Sequence, residues 1–572
     1  MKQIIRNTIL ILTPAERKKG MVLVLLNLVV SILDVGFLAG LLFVVQLYSG
    51  APAISRLSFL PSWLTDPTSL WPIGGFFLLF AVKNLASFLV FKAQCQFRYQ
   101  VFLRISDHNL LQYLEGSYSD YVHIDSSTHF AEVNLQPSEF CQHVMEGLQQ
   151  SIAEWTLIGL TTIAILLFNA KLFFLLLVVL FPPIIIAAWF TRKKILSAKA
   201  NIADTRDMGW QRLEESIGGF VESNLYDKKE FFMGRYHRSQ LTLNRHLSNL
   251  HSMQGAPTRL AEVFAVFGLL TLIAIDHLTG ARQGTGVVTL GAFLAAAYKI
   301  IPGVARILNL NGQIRAYAYT IDPLVRKRKK KMAPQRDADT GKIASITLRD
   351  ISFRYGKDQP PVLEHLNLHI DSGCFLGISG NSGRGKTTLL NILLGFLTPE
   401  KGEVLINGRA TDHRDRKSYW APISYVKQQP FILHDTLLTN ITLDEEYYNE
   451  EKLDEVLAVS GLDTMVKRSQ SGIRTRIAEN GKNISGGQRQ RITIARALYK
   501  EADVFILDEP FSELDEASEQ RLLHHFRQLT RDGKIVILIT HNQKSLAFCD
   551  SVISLEDKAV SDPSARNHTS FL

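Results

Sequence analysis

Cysteine is scarce: the 572 residues hold four, Cys95, Cys141, Cys374 and Cys549. None forms a C-x-x-C pair, and they are too widely spaced for a zinc site, so they read as free thiols in a reducing or membrane setting. Charge is also sparse. Charged residues are 20% of the chain against 46% hydrophobic, a balance too apolar for a fully soluble protein of this length. Nor does the N-terminus offer a signal peptide, because the apolar run from Met21 is too long for an h-region and no small-residue cleavage site closes it. The net charge of +9 would admit nucleic acid, but no base-stacking platform or groove-reading helix accompanies it. The basic residues instead gather at the ends of apolar segments, as in Arg17–Lys19, Arg192–Lys194 and Arg326–Lys331, the positive-inside pattern of cytoplasmic flanks.

The apolar excess lies before about residue 310, and six spans are expected there: Met21–Leu47, Trp71–Phe97, Ile152–Phe168, Leu172–Phe190, Leu260–Leu278 and Val287–Leu308. Thr13 caps a short helix with Pro14 at its first position, leading into the first span from the interface. Pro182 and Pro183 should bend the fourth span. Residues 56–64 read equally as an amphipathic piece at the outer headgroups or as a loop anchored by Trp63. The long polar stretches Arg98–Gln150 and Thr191–Thr258 are basic and helix-compatible, so both are placed in the cytoplasm, with reversals near Tyr113–His123 and Gly218–Asp227. Six spans put both chain ends on that side. The expected division is a membrane domain over 1–325, a basic linker over 326–345 and a soluble domain over 346–572.

From Ile346 the pattern changes to short β-branched runs alternating with amphipathic segments: Ile346–Tyr355, Phe375–Ser379, Ile423–Val426, Val504–Leu507, Ile535–Thr540 and Ser551–Leu555 read as strands. Between Phe375–Ser379 and an apolar helix stands G-N-S-G-R-G-K-T: Gly380, Asn381, Ser382, Gly383, Arg384, Gly385, Lys386 and Thr387, followed by Thr388. Glycines at the first, fourth and sixth positions let successive backbone N–H groups face an anion. Lys386 supplies a charge for the β- and γ-phosphates and Thr387 a hydroxyl for Mg²⁺. Val504–Leu507 delivers Asp508 and Glu509 to the C-terminal edge of a sheet, where ligands of open α/β folds bind. Asp508 would hold Mg²⁺ through water and Glu509 would polarise the attacking water.

Taken together, the phosphate cradle, I-S-G-G-Q (484–488), L-D-E-P (507–510) and Thr540-His541 resemble the ATPase domain of ABC transporters, and the six spans ahead of it resemble the exporters of that family. The fold implied is an all-α six-helix transmembrane domain of exporter type followed by an α/β P-loop ABC ATPase domain. The resemblance implies that Tyr355 stacks on adenine and that Gln428 reaches Mg²⁺ and the attacking water. It further implies that Ser485, Gly486, Gly487 and Gln488 bind the γ-phosphate of ATP held by a second subunit, that Asp515 links the two sites, and that His541 contacts the γ-phosphate. Ile484 stands where leucine is usual, Glu513 where alanine is usual, and Arg476 where an acid is frequent. Because every catalytic position is intact in one chain, the resemblance implies a homodimer using ATP and Mg²⁺, an integral protein of the bacterial inner membrane.

The cargo is less legible. Lys83, Arg259, Lys299 and Arg306 are charges within or beside spans, where charge is costly and faces a cavity or a partner. As a cationic cavity they would suit an anionic amphiphile, and with residues 56–64 they resemble the lipid-linked oligosaccharide flippases. As partnered charges they carry no such meaning: Arg259 pairs with Glu262 one turn on, and Lys83 or Arg306 pairs with Asp34 or snorkels. A peptide or drug exporter and an ABC ATPase acting as a sensor or channel regulator are the other readings.

Overall fold

Thr13, Pro14 and Glu16 start the first long helix. The Thr13 hydroxyl accepts from Glu16 N at 3.3 Å while the Glu16 carboxylate accepts from Thr13 N at 2.8 Å, so two orphan donors are satisfied reciprocally. The cap lies where the sequence placed it, but it opens the 35-residue helix Pro14–Tyr48 rather than a short one, and a separate helix, Lys2–Ile11, precedes it. The computed structural model describes residues 1–48, 68–116, 118, 122, 124–168, 205–278, 287–329, 341–381 and 383–555. The expectations for residues 56–64, the fourth span with Pro182 and Pro183, and Ser382 lie outside them. The chain divides into two units, Met1–Gly116 with Tyr121–Met332, and Ser117–Asp120 with Ala333–Leu572.

The first unit is helical. Its longest described elements are Pro14–Tyr48, Trp71–Leu114, Glu146–Phe168, Lys229–Leu278 and Val287–Ala316. Among the described residues two stretches, Pro14–Leu41 and Trp71–Leu114, are long and apolar enough to cross a membrane. At 1.5 Å per residue the 44 residues of Trp71–Leu114 reach about 66 Å, twice the roughly 30 Å of bilayer hydrocarbon. The helix therefore runs on into the polar stretch that the sequence marked as helix-compatible. Leu78, Leu79, Val82, Leu85, Phe88 and Leu89 are exposed along it, a surface suited to lipid. Further along, burial takes over: Phe97, Val101 and Ile105 close with Phe140, Val144, Ile314 and Ile321 into one core. Gly147 admits Ile314 there, since a Cβ on it would stand 2.7 Å from Ile314 Cγ1. The helix between 126 and 168 is not regular. Two π-helical segments, Ala131–Leu135 and Phe140–Met145, flank Pro137, whose missing N–H breaks the usual ladder. The second expected reversal is a turn at 226–228, where Asp227 adopts a positive φ of 51° between the helices Phe220–Leu225 and Lys229–Leu278.

The described residues of the second unit form two sheets. An antiparallel one runs β2-β1-β4-β5 and a parallel one β6-β7-β8-β3-β9. Strands β7 (Val504–Asp508) and β8 (Ile535–Ile539) are buried at every residue, as their unbroken apolar runs require when helices cover both faces. With β3 (Phe375–Ser379), β6 (Ile423–Val426) and β9 (Ser551–Ser554) they form the sheet anticipated from sequence. The other sheet adds three strands to the reading, β2 (Leu363–Asp371), β4 (Lys401–Ile406) and β5 (Arg409–Thr411). Strand β1 spans Ser345–Phe353, so Tyr355 lies beyond its end and not within it as expected. Within this unit the ring of Tyr118 stacks on Phe396 at 4.7 Å, and Phe396 in turn meets Trp420 at 5.2 Å.

Candidate nucleotide site

Parallel strands β3, β7 and β8 end together, and the loops after them carry the chemistry. After β3 the backbone turns at Gly380 (φ 147°), Gly383 (φ 83°) and Gly385 (φ 91°) before the helix Lys386–Leu393 begins. A Cβ on Gly385 would meet Val362 Cγ1 at 3.0 Å as well as being strained, so space and conformation both demand glycine. Lys386 is buried, and its ammonium donates to the Gly380 carbonyl at 2.5 Å and lies 2.8 Å from His541 Nε2. A cation turned onto its own loop's carbonyl and a ring nitrogen is a cation ready to change partners. This cradle fits a phosphate chain.

After β7, Asp508 is buried and Glu509 takes a positive φ of 48°. Burial, then the neighbouring Glu509 charge, pushes the Asp508 carboxyl above the usual carboxylate range, while a Tyr425 hydroxyl 3.3 Å away and the Lys386 charge pull against that shift. Glu509 receives a hydrogen bond from Gln428 Nε2 at 2.7 Å on one oxygen and stands 3.1 Å from His541 Nε2 through the other. Gln428 follows β6 and His541 follows β8, so the ends of three strands, β6, β7 and β8, converge on one carboxylate. Thr387 is exposed at the first turn of the cradle helix. Thr388 is buried, and its hydroxyl pairs with the Tyr355 hydroxyl at 2.9 Å. Tyr355 is otherwise exposed and packs edge-on against Phe353. Asn381, Gly383 and Arg384 complete the described part of the loop.

Ser485, Gly486, Gly487 and Gln488 open a different helix, Gly486–Tyr499. Ser485 caps it, accepting from Gln488 N at 3.2 Å, and the Gln488 side chain accepts from Ser485 N at 2.9 Å. Among the described residues no hydrogen bond joins this motif to the cradle. Instead the motif meets Glu513: a Cβ on Gly486 would collide with the Glu513 carboxylate, and one on Gly487 would stand 2.8 Å from the Glu513 carbonyl. Buried Gln490 holds that loop in place, donating to Ser512 Oγ at 2.6 Å and accepting from Glu513 N at 2.9 Å. Asp515 caps the helix Glu516–Arg531 and pairs with Arg491 at 3.1 Å. Gln490 and Tyr425 escaped the sequence reading. The signal for Gln490 is a polar residue on the apolar face of an amphipathic helix, where burial demands partners.

The span charges have carboxylates beside them. Lys83 pairs with Asp34, Arg306 with Glu154, and Arg259 with Glu262 at 3.3 Å. The partnered reading of Lys83 and Arg259 is the one seen, whereas Arg306 takes Glu154 in place of the anticipated Asp34. The side chain of Lys299 lies outside the described residues.

Comparison with known proteins agrees with this architecture. The family model described as "ABC transporter" matches residues 363–512. An "ATP-dependent lipid A-core flippase" of Alkalilimnicola ehrlichii is 29% identical over 353 residues, 60% of this chain and 59% of that one. A "Probable ABC transporter ATP-binding/permease protein" of Haemophilus influenzae is 29% identical over 300 residues, 52% and 53% of the two chains. The chain thus spans under two thirds of the length of the curated relatives it matches. A solved structure described as a bacterial Atm1-family ABC exporter with ATP bound superposes with a TM-score of 0.72 at 18% identity, covering 96% of this chain and 95% of that one. The chain thus carries, over residues 363–512, a domain matched by the ABC transporter family model, and as a whole it has the fold of a solved ABC exporter.

Proposed function

We propose that two copies of this chain form an ATP-driven exporter, each copy supplying a cradle for one ATP and the Ser485–Gln488 motif for the other. The observation that carries this reading is the convergence of Lys386, Gln428, Asp508, Glu509 and His541 at the strand ends, while Ser485 and its glycines open a helix bonded to none of them. Lys386 would leave Gly380 and His541 for the phosphates. Thr387, Gln428 and Asp508 would hold Mg²⁺, which neutralises phosphate charge when bound, and the raised proton affinity of Asp508 suits a site awaiting a cation. Glu509, oriented between Gln428 and His541, would draw a proton from the attacking water. Tyr355 would face adenine, with Thr388 fixing its hydroxyl.

The cargo best supported is an anionic lipid-linked saccharide moved to the outer side of the membrane. The flippase relatives carry this choice. A specific observation favours the second reading, a peptide or drug exporter: Lys83, Arg259 and Arg306 each have a carboxylate partner, which offsets three of the four positive charges on which an anion-selective cavity would depend. Reconstitution into vesicles decides between them. ATP-dependent movement of a lipid-linked saccharide, with no movement of peptides or dyes, is the expected result. Vectorial transport of dyes alone would replace it with the second reading, and ATP hydrolysis without any movement would overturn both.

A further inference from the structure

Four consecutive carbonyls ending the Lys2–Ile11 helix are each met by a guanidinium. Arg17 Nε donates to Ile9 O at 2.8 Å and to Leu12 O at 3.0 Å, Arg328 donates to Leu10 O, and Arg104 donates to Ile11 O at 3.2 Å. Helix C-terminal carbonyls attract cations, but three guanidiniums exceed what they need, and each retains donors. Among the described residues one carboxylate pairs with the set, Glu16 on Arg104 at 2.6 Å; neighbouring Lys327 is taken up by Glu132 at 2.8 Å. Three cations therefore face one anion. Arg328 feels the crowding: burial, then the charges of Arg104 and Arg17, lower its proton affinity.

Beside this cluster is a cavity of about 230 Å³. Arg104, Arg328, His108 and Asn109 line it together with Ile11, Ile105 and Leu324, so hydrogen-bond donors and apolar side chains share its wall. The helix that ends there has two apolar faces. Thr8 and Ile11 are buried in the unit, while Ile5, Ile9 and Leu10 are exposed on the far side. Such a helix, joined by two residues to a span, lies at the headgroup level of a bilayer.

We propose that this cavity holds the phosphate of an anionic membrane lipid, lodged between Arg104 and Arg328, with the lipid's apolar part against Ile11 and Leu324. Phosphate free in solution shares the recognising chemistry; the exposed Ile5, Ile9 and Leu10 stripe points to the lipid-borne form. The site is separate from ATP and cargo, and it does not rest on the transport reading.

The test titrates the full-length chain in neutral detergent with dioctanoyl phosphatidic acid, dioctanoyl phosphatidylcholine and inorganic phosphate. Phosphatidic acid should bind about tenfold tighter than either of the others, and Arg328→Gln should weaken it about tenfold, the scale of one charge-assisted hydrogen bond. Arg328→Lys should recover part of that loss. Arg349→Gln, which removes an exposed arginine paired with Glu403 in the second unit, should change nothing. Equal affinity for inorganic phosphate overturns the lipid source, and undiminished binding in Arg328→Gln overturns the site. Should that variant fail to fold, a photoactivatable phosphatidic acid on the unmodified chain decides: label on residues 9–11, 104–109 or 324–328 supports the site, and label confined elsewhere sinks it.

Discussion

Glu509 is positioned by the ends of three strands and by a backbone conformation that few non-glycine residues adopt, so its carboxylate has one place to be. Replacing it with glutamine keeps the size and the hydrogen bond from Gln428 but removes the base. ATP binding should persist while steady hydrolysis falls by about 10²–10⁴-fold, the usual range for a general base; an unchanged rate would remove Glu509 from that role. Asp508 invites a different measurement. Its folded-state proton affinity is raised, so the folded chain holds more protons than the unfolded one just above the ordinary carboxylate range, and stability falls as pH rises through that window. Asp508→Asn should therefore raise the midpoint of thermal unfolding near pH 7 in the absence of nucleotide, by about 2–4 °C if the change is about 1 kcal/mol. It should also abolish the dependence of nucleotide binding on Mg²⁺. A lowered midpoint would show that the Tyr425 hydrogen bond outweighs burial. Glu513 is the residue whose charge sits most awkwardly. Its carboxylate lies against Gly486 at the helix end that would receive a γ-phosphate, with Arg489 3.9 Å away. Glu513→Ala should lower the KM for ATP severalfold with little change in kcat, since it removes a like charge from the phosphate position. An unaltered KM would mean that the side chain swings clear before nucleotide closes the site.

At the level of elements, the parallel sheet was legible and the antiparallel one only at its first strand. Strand β8 is apolar throughout, and β3 and β7 are polar only at their last residues, Ser379 and Asp508, which is the pattern of a strand covered on both faces. Strand β2 alternates buried Leu363, Leu366, Leu368 and Ile370 with exposed Glu364, Asn367 and His369, a half-exposed ladder whose apolar residues never form a run. Tyr355 was misplaced by two residues for a related reason, because an aromatic residue recurs two positions past the last ladder pair, Phe353 with Leu363. The motifs were readable because each is local, a loop and the helix it opens. Of the span charges, Arg259 with Glu262 and Lys83 with Asp34 were anticipated, but Arg306 with Glu154 was not, since the two stand 152 residues apart and no spacing rule joins them. Helix packing there yields its own test. Gly147→Val should collide with Ile314 and destabilise the first unit by about 1–3 kcal/mol, and Ile314→Ala in the same chain should recover part of it. Strictly additive losses in thermal unfolding of the full chain would show that the two helices are not in contact.

For the whole molecule, the proposed sharing of sites between copies predicts an asymmetric rescue. Lys386→Ala disables a cradle and Ser485→Arg disables the motif opposite, so either homodimer should be inactive. A mixed dimer keeps one site whose cradle and motif are both intact and should regain hydrolysis, up to about half the unmodified rate if the two sites work independently. No recovery in the mixture would mean that each chain completes its own site. One further consequence belongs to the division of the chain itself. The second unit is not contiguous in sequence, for it includes Ser117–Asp120, whose Tyr118 covers Phe396 and, behind it, Trp420. A fragment beginning at Ala333 would carry the whole nucleotide site yet present bare aromatic rings where Tyr118 had been. Such a fragment should self-associate at modest concentration, and a soluble peptide bearing that tyrosine should act on it as a plug.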